Sequence, residues 1–272
     1  METRKTRMQT GKRSIFHTGV GLVGLLLITL LLWSLAGCGQ SPQPTTSAPV
    51  TQTAATRTLK DMAGRSVTVP STIKTAFATS PVGSIALYAL APDKMVGWNY
   101  DLKPTEKKYI LPKYQSLPNL GGWQAKNTGN IEEIIKVHPD ILVDMGDISQ
   151  TEISNADKIQ AQLGIPVVLV EAPVTKMDKA LEYLGELLGE KVKAQELADY
   201  CRSTVADVTA KAAQIPQDKR LKVYYAEGTK GLETEPDGSM HIETLQVVGG
   251  LNVAKVAQAG RGGMSPVRTI NF

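Results

Sequence analysis

Two groups of acidic residues could bind a metal ion or transfer protons. Asp144 and Asp147 lie at the predicted end of a strand, where a carboxylate pair could bind a metal or transfer protons. The same positions are typical of a helix cap and a turn, and this second interpretation is favoured. Glu233, Glu235 and Asp237 suggest a calcium loop but lack its alternating oxygen ligands and its closing glutamate, so a solvated loop is expected.

Histidines and catalytic motifs give no support for an active site. The histidines are His17, His138 and His241, and none has a partner at the spacing of metal ligands. A bare zinc or manganese site made by several histidines is therefore not expected. The sequence has no G-x-S-x-G elbow, H-E-x-x-H helix, P-loop or nucleotide fingerprint. We predict no catalytic residue, no resident metal and no cofactor, and a surface-anchored α/β enzyme is the less favoured alternative.

Cys38 is the residue with the clearest chemistry. A basic head and an uncharged apolar run at residues 20–37 precede it, and a segment rich in Thr, Ser, Pro and Gln follows it. Leu35-Ala36-Gly37-Cys38 resembles the lipobox of bacterial lipoproteins, which implies cleavage before Cys38 and acylation of its thiol. Two or three acyl chains hold a protein at a membrane stably, at about 0.8 kcal/mol per buried methylene. A retained transmembrane helix and ordinary secretion are the alternatives.

Charge and cysteine content exclude two classes of protein. The whole chain has a net charge of +4, but residues 1–37 hold five of its 30 basic and one of its 26 acidic residues. The remainder has no net charge, so nucleic-acid binding is not expected. Cys201 is the only other cysteine, which excludes an intrachain disulfide framework. Its place in a helical apolar stripe predicts a small buried residue.

Short apolar runs alternate with helical patterns from Thr58 to Glu171, which predicts a parallel sheet covered by helices. The predicted strands include "RSVTVP", "TAFATSP", "KMVGWN", Ile141–Val143 and Val167–Val170. A long helix is predicted at Lys191–Ile215, about 37 Å at 1.5 Å per residue. The alternation restarts after Pro216 with "RLKVYYAEG", but this second unit is short for a lobe with its own core. The chain is therefore interpreted as a fragment of a longer protein or as one with a reduced second lobe.

Four stretches resemble, in order, the class III substrate-binding proteins of ABC importers, which serve iron–siderophores, cobalamin and haem. They are "IKTAFATSPVGSIALYALAPDKMVGW", "GNIEEIIKVHPDILVDMG", "LGIPVVLVE" and "GSMHIETLQVVGGLNVA". The resemblance implies two α/β lobes, with parallel sheets and flanking helices, joined by one long helix. It places a ligand cleft between the lobes and implies that the second lobe is incomplete. The predicted divisions are a lipoprotein signal peptide at 1–37, a tether at 38–57, an N-terminal lobe at 58–190, an interlobe helix at 191–216 and the start of the second lobe at 217–272.

Ligand contacts are expected from the loops that follow the strands, because ligands of open α/β sheets bind at the carboxyl ends of strands. The resemblance adds Trp123, which follows two glycines. The predicted ligand-binding residues are Ser80, Pro81, Trp98, Asn99, Tyr100, Trp123, Met145, Tyr225 and Glu227. Aromatic walls suit large, flat ligands such as ferric siderophores and corrins. For each aromatic residue, packing in the core or on the surface is the alternative.

Glu132 and Glu243 each lie in the first turn of a predicted helix, where a carboxylate complements the helix dipole. The resemblance implies that one acidic residue per lobe also forms a salt bridge with arginines of the permease. Such charges steer docking and are sensitive to salt.

Sequence and resemblance together predict an extracytoplasmic binding protein, lipid-anchored to the outer side of the cytoplasmic membrane. It would capture a ferric siderophore or other iron complex and deliver it to an ABC permease with its cytoplasmic ATPase. Cobalamin, haem, a chelated metal or an oxyanion is the alternative ligand within the same class. A structural or sensory envelope lipoprotein is a further alternative. A single interlobe helix predicts that closure around the ligand is small.

Overall fold

The computed structural model describes residues 55–123 and 128–256, together with the backbone of Ser265 and Pro266. These residues belong to one compact unit, Gln52–Phe272. Cys38, the predicted signal peptide and most of the predicted tether lie outside the described residues. Within the described ranges, no helix is both long and apolar enough to cross a membrane.

A β-hairpin comes first in the described chain. β1 (Thr56–Lys60) pairs antiparallel with β2 (Ser66–Pro70), so regular structure starts two residues inside the segment predicted as a tether. β2 alternates exposed and buried residues, and Val67 and Val69 are its buried members. The alternation is that of a strand with one face on the core, as predicted for "RSVTVP".

The buried carboxylate of Asp61 joins this hairpin to the main sheet. It accepts hydrogen bonds from the backbone N–H of Arg65 at 2.9 Å and of Leu169 at 3.2 Å. It also pairs with the Arg65 guanidinium at 2.8 Å, and the Arg65 side chain reaches Asp157 at 2.6 Å. A carboxylate that is shielded from water is costly unless hydrogen bonds and ion pairs replace its hydration. The partners of Asp61 lie on both the hairpin turn and the sheet, so this network fixes the hairpin on the sheet.

The predicted parallel sheet is confirmed. β3 (Ala76–Ala78), β4 (Ile141–Gly146) and β5 (Val167–Glu171) lie in the order β3-β4-β5. β4 is buried along its whole length, as expected for a parallel strand covered on both faces. The predicted strand "KMVGWN" is wrong: it forms only isolated bridges. Its backbone changes partner within two residues, since Val96 N–H donates to the Ala76 carbonyl and Trp98 N–H to that of Pro118.

Helices accompany this sheet: α1 (Pro81–Leu90), α2 (Pro104–Lys107), α3 (Ile131–Val137), α4 (Gln150–Leu163) and α5 (Met177–Leu188). All of them except α2, which has no buried residue, help to bury the two faces of the sheet. Gly164 and Gly189 adopt left-handed φ values of 67° and 78° directly after α4 and α5, and this conformation ends those helices. One hydrophobic cluster contains Val143 and the other contains Leu142, so successive β4 side chains point to opposite faces of the sheet.

The long helix, α6 (Lys191–Ala213), has 23 residues and ends two residues before the predicted Ile215. Its first half packs closely on α5: a Cβ on Gly185 would lie 2.1 Å from the Cβ of Ala194. Further along, Arg202 on α6 pairs with Asp178 on α5 at 2.9 Å. Small residues and an ion pair thus hold the two helices side by side.

The predicted apolar stripe of α6 is only partly covered. Of the stripe residues, Ala212 is buried, whereas Leu197, Cys201 and Val205 are half-buried. Ile215 lies past the helix and is 38% exposed. The expectation that Cys201 is fully buried is therefore wrong, although burial and then the Asp178 carboxylate raise the pKa of its thiol.

The chain after Pro216 forms a second, smaller lobe from short elements. β6 (Lys222–Val223) runs parallel to β8 (Leu251–Asn252), β7 (Glu233–Thr234) pairs antiparallel with β9 (Ser265–Pro266), and α7 (Glu243–Val247) lies between β7 and β8 in the chain. The predicted strand "RLKVYYAEG" shrinks to two residues because the chain soon reverses and pairs Glu227 with Glu233. The two α/β lobes and the long helix between them are confirmed.

Candidate functional site

Asn99 ties together the loops at the carboxyl edge of the parallel sheet. Its amide nitrogen donates to the carbonyls of Ala78 at 2.8 Å and Gly121 at 2.9 Å. Its side-chain oxygen accepts a hydrogen bond from Ser84 Oγ at 2.5 Å. One half-buried side chain thereby joins the end of β3, the first half of α1 and the loop that leads to Trp123. Asn99 positions this edge, and its contact with a ligand stays a prediction.

Ser80 and Met145 face the interior rather than an open cleft. Ser80 is 1% exposed; its Oγ accepts from Gly83 N–H at 3.2 Å, capping α1, and donates to the Met145 carbonyl at 3.0 Å. The Met145 side chain is fully buried in the hydrophobic cluster that covers one face of the sheet. Pro81 is half-buried in the first turn of α1. In this conformation Ser80 and Met145 connect two strand ends and do not present side chains to a ligand, contrary to expectation.

Trp98 is a core residue. Its position favours a role in packing over the expected role in an aromatic wall that contacts the ligand. It is 4% exposed, its indole N–H donates to the Tyr114 carbonyl at 2.8 Å, and its ring centroid lies 5.7 Å from that of Tyr88. Tyr100 and Tyr225 are each 40% exposed, so these two aromatic rings are open to solvent.

Trp123 borders a pocket at the same edge of the sheet. Its backbone N–H donates to the Thr79 carbonyl at 3.0 Å, and its ring lies against Gly129, where an added Cβ would come within 2.4 Å. Gly121 has a left-handed φ of 67°, and a Cβ on Gly122 would lie 2.6 Å from the Thr79 carbonyl oxygen. The two glycines therefore set the position of the indole. The pocket has a volume of about 270 Å³ and is lined by Trp123, Asp144, Glu152, Asn155, Lys158, Ile159 and Gln162.

Two buried carboxylates lie in this pocket. Asp144 is 3% exposed and accepts a hydrogen bond from Thr79 Oγ1 at 2.8 Å, and Glu152 is 5% exposed in the first turn of α4. The expected capping role of Asp144 is wrong, because Asp144 lies inside β4 and Ser149 caps α4. An aromatic face, two carboxylates and a lysine can bind the edge of a flat ligand and its polar groups.

The second lobe contains a cluster of side chains that the sequence did not reveal. The His241 Nδ1 and Glu235 Oε1 atoms are 2.9 Å apart, and one ligand atom each of Glu227, Glu235 and His241 lies within 4.8 Å of the others. Burial and then the Glu235 carboxylate raise the pKa of Glu227. The expectation of a solvated loop is wrong for Glu235, which is 4% exposed. Glu227 and Glu235 meet through the pairing of Glu227 with Glu233, a contact that spacing in the sequence does not encode.

The two predicted docking glutamates have different surroundings. Glu132 is exposed in the first turn of α3 and makes no ion pair with the residues that the structure describes. The Glu243 carboxylate accepts hydrogen bonds from Val174 N–H at 2.7 Å and Thr175 Oγ1 at 2.8 Å. Glu243 thus holds α7 against the turn after β5 and is not the free rim charge expected. The docking role of both residues stays a prediction.

Comparison with protein families gives a match over most of the described chain. The profile of a family described as periplasmic binding protein matches residues 83–248. The matched segment includes β4, β5, α6 and the start of the second lobe.

Two curated proteins and one solved structure are similar to the chain. The uncharacterized ABC transporter substrate-binding lipoprotein YvrC of Bacillus subtilis is 26% identical over 81% of the chain. The high-affinity heme uptake system protein IsdE of Staphylococcus aureus is 26% identical over 57% of the chain. An ABC transporter solute binding protein from Sulfurospirillum deleyianum superimposes on 78% of the chain with a TM-score of 0.70 and 29% identity, and 66% of that protein is covered. The chain spans 65% of the length of the Bacillus relative and 50% of that of the Staphylococcus relative.

Proposed function

This chain belongs to the periplasmic binding protein family, and from that premise we propose that it is the substrate-binding component of an ABC importer. Its ligand would be a ferric siderophore or a similar iron complex, captured outside the cytoplasm and passed to a permease. The observation that carries the proposal is the edge of the parallel sheet, where Asn99 joins the end of β3, α1 and the loop to Trp123, and Trp123 borders a pocket. Ligands of open α/β folds bind at such edges.

The properties of this edge suit a large, flat ligand better than a small ion. Trp123 offers an aromatic face, and Tyr100 on a neighbouring loop is exposed. The loops are fixed by hydrogen bonds before any ligand binds, so little conformational entropy is lost on binding. Haem is the second candidate ligand, favoured by the likeness to the Staphylococcus protein, whose name assigns it to heme uptake. Cobalamin, a chelated metal and an oxyanion are the remaining candidate ligands.

Tryptophan fluorescence tests the proposal and identifies the ligand group. The full chain, solubilised in detergent, is titrated with ferric hydroxamate and catecholate siderophores, cobalamin and haemin, with correction for absorbance by the coloured ligands. We expect saturable quenching at sub-micromolar concentration by one member. Trp123→Phe should remove most of the quenching. Trp98→Phe, a change in the core, should lower the starting fluorescence and leave the ligand response.

Two results would overturn parts of this proposal. No response from the folded full chain across the panel removes the iron-complex, haem and corrinoid ligands and leaves a small metal chelate or oxyanion. Quenching that survives Trp123→Phe but is lost in Trp98→Phe moves the site away from the pocket. Chemical turnover of a bound compound would favour the enzyme alternative; the similar proteins named above are binding proteins, and no catalytic step belongs to the proposal.

We propose in addition that Cys38 carries the lipid anchor. The lipobox-like Leu35-Ala36-Gly37-Cys38 supports this, and the Bacillus relative is named a lipoprotein. Expression of the wild-type chain and of Cys38→Ala in a bacterium, followed by mass spectrometry and membrane fractionation, tests it. Wild type should gain a diacylglyceryl mass on a chain that starts at Cys38. If the two proteins carry the same mass and distribute alike, Cys38 is not the anchor.

Glu132 is the better supported of the two permease contacts. It is exposed and has no ion pair among the described residues, so an arginine of a partner can reach it. We expect Glu132→Gln to weaken docking to the permease in a salt-dependent way and to leave ligand affinity unchanged. Glu133→Gln on the same helix turn is the matched control, because Glu133 already pairs with Lys136.

A further inference from the structure

A hairpin and a turn bring Glu227, Glu235 and His241 together in the second lobe. Glu227 N–H donates to the Glu233 carbonyl at 2.7 Å, and Glu233 N–H donates back at 3.3 Å. This pairing sets Glu235, two residues further on, beside Glu227. His241 is placed by its own N–H, which donates to Ser239 Oγ at 3.2 Å. The backbone of the cluster is therefore held by hydrogen bonds that do not involve the three side chains.

The side-chain atoms of this cluster are spaced as metal ligands are. One atom from each residue lies within 4.8 Å of the other two, and the His241 Nδ1 to Glu235 Oε1 distance is 2.9 Å. Glu235 is buried, at 4% exposure, and its backbone carbonyl is fixed by Asn252 Nδ2 at 2.9 Å. His241 has a side chain 43% exposed, so one side of the cluster is open to solvent.

The cluster has more negative charge and more acceptor atoms than its own groups can satisfy. Glu227 Oε2 is buried and has no hydrogen-bond partner among the described residues. It lies beside a second carboxylate, that of Glu235, with a single imidazole to share between them. A buried acceptor without a donor is costly, and two adjacent carboxylates repel each other. A divalent cation would satisfy the free oxygen and neutralise both charges.

We propose that Glu227, Glu235 and His241 bind a divalent first-row transition-metal ion, each through one atom. Carboxylate and imidazole ligands suit zinc, manganese and ferrous iron, whereas calcium takes six to eight oxygen ligands and no imidazole. Three protein ligands leave at least one coordination position open, and the exposed side of His241 places it toward solvent. The inference does not depend on which ligand the sheet edge of the first lobe carries.

Zinc titration of the full chain tests the site. The protein, carrying a purification tag without histidine, is treated with EDTA, and its affinity for Zn²⁺ is measured by competition with a chromophoric chelator. We expect one equivalent of tightly bound zinc per chain. Loss of a residue that merely orients a metal ligand costs about 10–100-fold in affinity, so Glu227→Gln, Glu235→Gln and His241→Asn should each weaken binding at least about tenfold. Asp237→Asn, in the same segment but paired with Lys255, should not.

Protection of His241 in the wild-type chain gives a readout that needs no variant. Zinc should slow modification of His241 by diethylpyrocarbonate, measured by mass spectrometry, and should leave His138 unaffected. The proposal is overturned if zinc fails to protect His241. It is also overturned if the three variants bind zinc as tightly as wild type, or if the wild-type chain binds less than one equivalent.

Discussion

The two lobes use buried polar groups in opposite ways. In the first lobe, Asp61 is buried and accepts hydrogen bonds from backbone N–H groups and from Arg65. In the second lobe, Glu235 is equally buried but lies against the half-exposed His241 and the carboxyl group of Glu227, whose Oε2 atom has no hydrogen-bond partner among the described residues. Buried carboxylates with complete partners stabilise a fold, whereas those without them are typical of a site that awaits a ligand.

The same contrast separates the predicted ligand residues. Ser80, Trp98 and Met145 belong to a sheet whose packing already uses them. The residues left open at the first-lobe edge, Trp123 and Tyr100, lie on loops that other side chains hold in place. A rigid first lobe with a few open aromatic residues would define the shape of a ligand, and the second lobe would supply charge.

The largest expected difference between the lobes concerns their cores. Phe77→Ala removes a fully buried ring on β3 of the first-lobe sheet and should lower the free energy of unfolding by about 3–5 kcal/mol. Ile242→Ala removes a fully buried side chain that belongs to neither large cluster, so we expect the low end of the range, about 2 kcal/mol. Urea unfolding followed by circular dichroism measures both. Equal losses would show that the second-lobe core is packed as tightly as the first.

Removal of one carboxylate charge should destabilise the protein in the first lobe and stabilise it in the second. Asp61→Asn leaves the Arg65 guanidinium without its buried partner and should destabilise the protein by about 3 kcal/mol. Glu227→Gln, measured in EDTA, removes one of two adjacent like charges and should stabilise it by up to about 1 kcal/mol. Circular dichroism is the appropriate probe, because Trp98 and Trp123 both report on the first lobe. A loss of stability from Glu227→Gln contradicts the comparison.

A methyl group added at the first-lobe pocket should affect binding more than folding. The Cβ of Gly129→Ala would lie 2.4 Å from the Trp123 ring, so the indole must move. Overpacking of this kind costs about 1–3 kcal/mol. If half of that cost opposes ligand binding, the affinity for the ligand falls by a factor of about 2–13. The fluorescence titration measures this, with the exposed neighbour change Thr128→Ala as control. Unchanged affinity would mean that the ligand does not contact Trp123.

The smallest expected effect lies on the helix between the lobes. Burial and the Asp178 carboxylate raise the pKa of the Cys201 thiol, so less thiolate is present at pH 8 than for a free cysteine, whose pKa is about 8.5. In a Cys38→Ser background, Cys201 of the folded chain should react with iodoacetamide more slowly than Cys201 of the same chain unfolded in urea. The reaction rate of the folded chain should rise with pH, and the pH at half-maximal rate should lie above the pKa of free cysteine. Equal rates in buffer and urea would show that α6 leaves the thiol open.

The sequence predicts those parts of the fold that depend on local pattern. Continuous apolar runs identify β4 and β5, and Gly164 and Gly189 mark the ends of helices. Features that depend on distant contacts are not predictable in this way. "KMVGWN" has the composition of a strand, yet its hydrogen bonds go to two different segments.

The candidate site shows the same limit. The resemblance named Trp123 and a predicted strand end named Glu227 as ligand contacts, and both roles stay predictions. The structure places Trp123 at the first-lobe pocket and Glu227 in the second-lobe cluster. Sequence reasoning missed the partners of Glu227, since Glu235 is buried only through the hairpin that pairs Glu227 with Glu233. It also did not anticipate the contacts of Glu243, because its hydrogen-bond donors come from a turn of the first lobe, Val174–Lys176.

The first half of α6 packs closely on α5 and is thereby fixed to the first lobe. A tilt of α6 therefore moves mainly its C-terminal end. Gly185 and Ala194 hold the fixed end, and the remaining turns run on to Ala213 with few buried side chains. At 1.5 Å per residue, the part of α6 beyond Arg202 is about 17 Å long, so a rotation of one degree about that point moves its far end by about 0.3 Å. A tilt of a few degrees would therefore change the width of the space between the lobes by about an ångström.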